Sequence, residues 1–131
     1  MKIENAFLNN LTSLAKENPR LRQSYDLRTN HYEHSLRMLN AMEPGTMIPI
    51  HRHQTTSETM LIVRGKLIER FYNDAGELIE EFIMVPYGEC PIIQIEMGQW
   101  HSLEVLESGT IIFEAKDGMY VPLGEDDIMK I

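Results

Sequence analysis

Residues 45 to 65 read Gly45-Thr-Met-Ile-Pro-Ile-His51-Arg-His53-Gln-Thr-Thr-Ser-Glu58-Thr-Met-Leu-Ile-Val-Arg-Gly65, and this stretch decides the fold. Two histidines at i and i+2 in an extended segment project to the same side, because successive side chains alternate faces. His51 and His53 can therefore address one common ion. After the short polar link 54–57, Glu58 opens an apolar run through Val63 that reads as a returning strand, which can bring its carboxylate beside both imidazoles. A second, distant piece, Gly98-Gln-Trp-His101, supplies a further histidine.

The spacing G-x5-H-x-H-x4-E-x6-G matches the first motif of the cupin family at every fixed position. The second cupin motif, G-x5-P-x-G-x2-H-x3-N, is kept at Gly98 and His101, while Cys90, Glu96 and Val105 stand where its first glycine, proline and asparagine belong. The closing segment from Phe113 to Pro122, with Arg28 and Asn30-His31 upstream, resembles the WbuC-type cupin metalloproteins, small relatives associated with bacterial polysaccharide gene clusters. The resemblance implies an all-β cupin barrel, a double-stranded β-helix or jelly roll. It also implies a metal held by His51, His53, Glu58 and His101. Three imidazoles and one carboxylate leave open coordination positions and suit Fe(II), Mn(II), Ni(II) or Zn(II), as well as Cu(II); affinity order alone does not choose among them.

The chain outside the motifs fits one cupin domain over residues 1–131, with a helix at about 4–18 and a barrel at about 36–122. Phe7, Leu8, Leu11, Leu14 and Ala15 recur at helical spacing until Pro19 stops them, and this helix is expected to cap an open barrel end or an edge strand. Residues 20–35 are polar and aperiodic and read as a loop or a short edge strand. From Leu36 onward, eight short apolar runs alternate with turn signals: 36–42, 47–53, 58–64, 66–72, 77–85, 92–96, 100–106 and 110–115. Alternation places Met60 and Ile62 inward with Glu58, Leu103 and Val105 inward with His101, and Met47 and Pro49 inward with His51. Trp100 and Arg52 then face away, Trp100 toward the helix or a partner subunit and Arg52 toward solvent or an interface. Cys90 reads as a small filler or an exposed thiol.

Twenty acidic against twelve basic side chains give a formal charge of −8, which repels phosphate backbones and anionic membrane surfaces. Neither nucleic acid nor membrane is an expected partner. The single cysteine and the lack of an apolar leader fit the cytoplasm. Expected partners are a small-molecule ligand, a carbohydrate among the candidates, and a second copy of the chain in a homodimer. Glu114, mid-strand among apolar neighbours, is a candidate cavity acid–base group, along with Tyr32 and His31. Arg28 and Asn30 are candidate substrate-binding residues. The favoured function is a metal-dependent isomerase or epimerase acting on a sugar or other small polar metabolite, linked to polysaccharide biosynthesis. An Fe(II)-dependent dioxygenase and a non-enzymatic, metal-dependent binding or regulatory module are the alternatives. The absence of any acid or base near the metal would mark the binding module, and oxygen consumption by an Fe-loaded sample would mark the dioxygenase.

Overall fold

The computed structural model describes residues 1–118 and 121–130. Its described residues form one helix, α1 (Asn5–Glu17), and eight strands: β1 (Arg22–Asp26), β2 (Ser35–Met42), β3 (Glu58–Arg64), β4 (Leu67–Tyr72), β5 (Leu78–Met84), β6 (Ile92–Ile95), β7 (Trp100–Val105) and β8 (Thr110–Asp117). A single 3-10 turn, Glu125–Asp127, follows. Five strands make one sheet in the order β1-β2-β8-β3-β6, and three make the other in the order β5-β4-β7. Every pairing is antiparallel. This is the two-sheet jelly roll expected of a cupin. Met119 and Tyr120, part of the closing segment that resembles WbuC-type proteins, lie outside the described residues.

The larger sheet has two apolar faces, which explains the helix. Its inner face packs Met42, Met60, Ile62 and Ile112 against Leu67, Met84 and Val105 of the smaller sheet. Its outer face carries Leu39, Ala41 and Ile111, covered by Leu8, Leu11 and Ala15 of α1. The helix thus lies across the outside of β1, β2 and β8 rather than capping a barrel end, because that outer face would otherwise expose side chains worth about 1.5–3 kcal/mol each when buried. Arg64 fixes its orientation with hydrogen bonds to Asn5 and Asn9 Oδ1, both 2.8 Å. Asn18 ends the helix with an extended ψ of 132°, the geometry that Pro19 demands of its predecessor.

One alternative for the chain is selected in the structure, and one reading changes. Within 20–35 a short edge strand forms, β1, bonded along β2 from Arg22↔Met42 to Asp26↔Met38. The run 47–53, expected as a strand, forms only an isolated bridge at His51. Pro49 has no N–H to give a ladder, and the segment around it leaves the regular alternation. Met47 is accordingly 82 % exposed instead of inward, and Ile48 packs on the core in its place. Among the described residues no helix is long and apolar enough to cross a membrane.

Candidate metal centre

His51 is held from both sides. Its backbone exchanges hydrogen bonds with His101 of β7, at 3.0 and 2.8 Å, and it bridges Ile128 on the other flank. Arg52 N–H donates to Asp127 O at 3.0 Å and Met129 N–H to Ile50 O at 2.8 Å, so the segment after the 3-10 turn completes the wall. The backbone of Gly98 donates to His53 O at 2.8 Å, which ties the two histidine-bearing pieces together. Gly98 has φ of +79°, a conformation that favours glycine.

These contacts bring His51, His53 and His101 together, with one ligand atom from each lying within 4.8 Å of the others. The His51 and His101 rings are 4.2 Å apart, and His53 stands 5.4 and 5.9 Å from them. His51 Nδ1 lies 2.8 Å from Pro49 O and His101 Nδ1 lies 2.9 Å from Gln99 O. A carbonyl only accepts, so each Nδ1 carries the proton and each Nε2 keeps a lone pair. Burial, reinforced by His101, pushes the His51 pKa down to about 4, and burial likewise lowers that of His101. Both are neutral imidazoles at physiological pH, the form that ligates a metal.

Glu58 joins the triad through His53, with Oε2 3.0 Å from Nε2. Burial opposes its charge, but the His53 hydrogen bond and the nearby His101, His53 and Lys116 hold its carboxyl below the usual range. Lys116, directly across from Glu58 in the β3–β8 ladder, places Nζ 3.4 Å from His53 Nδ1. The three imidazoles form a donor set that fits a divalent transition ion with room for a ligand, while Glu58 reaches them through His53 and is not among the ligand atoms that lie within 4.8 Å of one another.

The group faces a cavity of about 400 Å³ between the sheets. Glu114 lines it from β8, opposite Met60. Burial first, then the charge of Glu58, pushes its pKa up to about 8, while Asn40 hydrogen-bonds it in the opposing sense. Glu69 of β4 lines the same cavity and gave no clear signal in the sequence. It is 0 % exposed, neither carboxyl oxygen has a hydrogen-bond partner among the described residues, and burial together with Glu58 and Glu114 raises its pKa well above the ordinary value. A larger groove of about 870 Å³, between β5 and β6, holds Glu80, Glu81, Glu89 and Cys90 but none of the histidines. Burial, then Glu80 and Glu89, raise the Cys90 pKa, away from reactivity.

The other candidates lie elsewhere. His31 and Tyr32 stack on each other at 4.2 Å in an exposed turn, Tyr32 being 74 % exposed, and neither lines the cavity. Asn30 accepts from the Tyr32 N–H within that turn. Arg28 is committed to Asp26 at 2.6 Å and borders a neighbouring groove that shares Arg20, Arg22, Met38 and Asn40 with the cavity. Trp100 does face away from His101, but it packs under Arg52 at 4.4 Å and donates to Asp74 Oδ1 at 3.0 Å rather than meeting the helix, which covers the opposite sheet.

Fold and site together define a cupin-fold protein with a histidine cluster suited to a divalent metal. Within that class the chain belongs to the family described as a domain of unknown function, DUF6016, whose profile matches residues 3–84. Among curated proteins none matches the sequence. Solved structures give the fold. The capsular polysaccharide assembling protein CapF from Staphylococcus aureus is 22 % identical with a TM-score of 0.67, over 80 % of this chain and 30 % of its own. The Schizosaccharomyces pombe Cnp3 cupin domain is 12 % identical with a TM-score of 0.58, over 76 % of this chain and 61 % of its own. Bacillus subtilis oxalate decarboxylase, described with Mn(II) centres, is 15 % identical with a TM-score of 0.59, over 84 % of this chain and 28 % of its own. The chain therefore spans less than a third of the length of CapF and of oxalate decarboxylase.

Proposed function

We propose that this protein holds one divalent transition metal on His51, His53 and His101, with Glu58 as fourth ligand, and acts on a sugar or other small polar metabolite by proton transfer. The observation that carries the reading is the shared cavity: three imidazoles with ligand atoms within 4.8 Å, and a proton-holding carboxyl, Glu114, lining it from the sheet opposite His101. A bound divalent ion supplies Lewis-acid polarisation of a ligand oxygen. Glu114 then serves as the acid–base group, since a carboxyl with a pKa of about 8 both gives and takes a proton near neutrality. Lys116 orients His53, and Asn40 orients Glu114. An acid–base group beside the metal favours an enzyme over a binding module. The WbuC-type resemblance and the fold shared with a capsular polysaccharide assembling protein support a carbohydrate-like substrate.

Metal analysis by plasma mass spectrometry, on untagged protein made without added metal, tests the reading. Near-stoichiometric Fe, Mn, Ni or Zn in the wild type, lost in His51→Ala and in His101→Ala, is the expected result. Metal that is substoichiometric, indifferent to both substitutions and not restored by reconstitution would overturn it.

A further inference from the structure

Glu69 is the polar group that the metal site does not explain. It sits at the middle of β4, the central strand of the smaller sheet, with Leu67 before it and Phe71 after it on the same face. It is 0 % exposed, both of its oxygens lack a partner among the described residues, and it lines the cavity wall. Leaving a buried polar group unpaired costs about 1–3 kcal/mol, and an apolar side chain of similar volume would remove that cost. Packing alone therefore gives no reason for a carboxyl here. Among the described residues no lysine or arginine pairs with it, which excludes a buried salt bridge as its role.

A protonated carboxyl offers one O–H donor and free acceptor lone pairs, the same complement that an alcohol presents. The two can pair reciprocally. A carboxylate or phosphate has only acceptors to give, so it can take the O–H but leaves the other Glu69 oxygen unpaired, and the cations of the lining, Arg20, Arg22 and Lys116, do not supply that missing donor to Glu69. A cavity of about 400 Å³ is of the size that takes one small molecule. We propose that Glu69 is a ligand-binding residue that pairs with a hydroxyl group of a neutral polyol-type ligand lying in the cavity beside the histidine cluster. The assignment deepens the proposed function, resting on it for the choice of cavity, and it places the hydroxyl-bearing end of the ligand toward β4.

The test loads the full chain with Zn(II) and titrates it with glycerol, D-glucose and D-galactose in turn, with propionate as an anionic control, following backbone amide NMR shifts. The expected result is a saturable shift around Glu69 and the adjoining β7 residues with at least one polyol, and none there with propionate. Glu69→Gln keeps both a donor and an acceptor and retains binding. Glu69→Leu loses about tenfold or more in affinity, the equivalent of one hydrogen bond, while its zinc content stays at the wild-type level. The Leu variant also unfolds at a higher urea concentration than the wild type, the reverse of what a structural hydrogen-bonding residue would show. If it does not fold, Glu69→Met, whose side chain adapts to irregular space, takes its place. No polyol shift near Glu69 in the wild type, polyol affinity unchanged in the apolar variant, or apolar variants less stable than the wild type would each overturn the assignment. Failure of the metal reading shows separately, as wild-type protein that does not retain zinc. The polyol titration still decides on Glu69 in that case, because its carboxyl lines the cavity without reference to an ion.

Discussion

Replacing Gly65 with alanine is expected to destabilise the fold far more than the same change at Gly98, although both are motif glycines with positive φ, +84° and +79°. A Cβ at Gly65 would sit 2.2 Å from Thr110 Oγ1, 2.6 Å from its Cα and 2.8 Å from its Cβ. Thr110 is fully buried at the start of β8 and cannot retreat. Its hydroxyl accepts the Lys66 N–H at 3.2 Å and lies 2.7 Å from Glu107 O, so displacing it also breaks bonds that close the β3–β4 connection. Overpacking costs about 1–3 kcal/mol. The left-handed backbone adds about 1–2 kcal/mol, and a displaced hydrogen bond about 1 kcal/mol. The total is about 3–6 kcal/mol, a large part of the 5–15 kcal/mol typical of a whole domain. At Gly98 a Cβ meets nothing within 4 Å, leaving only the backbone cost of about 1–2 kcal/mol. Urea unfolding of both variants beside the wild type, with slopes compared, measures the difference. Costs within about 1 kcal/mol of each other would show that backbone sign alone governs these glycines and that the Thr110 contact relaxes freely.

Metal-free protein should lose stability on both sides of a maximum. His51, with a folded pKa of about 4 against an unfolded value near 6.5, contributes stability present above 6.5 and lost as pH falls through 4, because the unfolded chain takes the proton first. Glu114, with a folded pKa of about 8, contributes stability present below the ordinary 4.5 and lost as pH rises through 8. Glu114→Gln should therefore remove the fall in stability between about 6.5 and 8 and uncover the His51 rise between 4.5 and 6.5, as denaturant titrations across pH would record; an unchanged slope refutes the buried acid. Divalent metal at roughly a hundred times its Kd should add about 2.7 kcal/mol to wild-type stability and nothing to His101→Ala, measured by thermal unfolding with and without chelator. Glu43, 7 % exposed, accepts from Ser108 Oγ at 2.6 Å and from the Gly109 N–H at 2.7 Å. Glu43→Ala should cost about 2–4 kcal/mol by leaving that turn without its charge-assisted bonds, and a loss below about 1 kcal/mol in urea would rule this out.

The fold was legible because its signals are local. The two-residue histidine spacing, Pro19 after the helix and the turn glycines each act within a few residues of themselves. Parity then carried Met60 and Ile62 inward with Glu58, as the structure has them. It failed at Met47 because alternation holds only along a regular strand, and Pro49 interrupts one. The outer position of α1 depends on Leu39, Ala41 and Ile111 forming one face, which requires the β2–β8 register. Glu69 was hidden for a related reason. Leu67, Glu69 and Phe71 alternate with Ile68, Arg70 and Tyr72, so each face of β4 offers two hydrophobic side chains and one charge, and the sequence does not say which face is inside. Arg70 proves to be the outer one, paired with Glu81 and Glu104. The support that the segment around Asp127 gives to Arg52 is a contact more than seventy residues long in sequence, with no local motif to announce it.

The electrostatic arrangement of the cavity follows from unequal treatment of similar groups. His51 and His101 each turn a proton toward the carbonyl two residues back, which leaves Nε2 free. His53 is set differently: its Nδ1 lies 3.4 Å from Lys116 Nζ and its Nε2 3.0 Å from Glu58 Oε2, so it ligates a metal through Nε2 only once the proton shared with Glu58 is displaced. Glu58 keeps its charge because it has that partner; Glu114 and Glu69 hold their protons, with burial as the first cause. Without metal, burial works against charge on Glu114 and Glu69 beside a charged Glu58, and the cavity lining adds Lys116, Arg20 and Arg22 as cations. A divalent ion added to this set brings an excess of positive charge beside Glu58, and that field lowers the cost of a carboxylate at Glu114. Were a divalent ion held on the histidines, its charge and the proton of Glu114 would be coupled across the cavity they share.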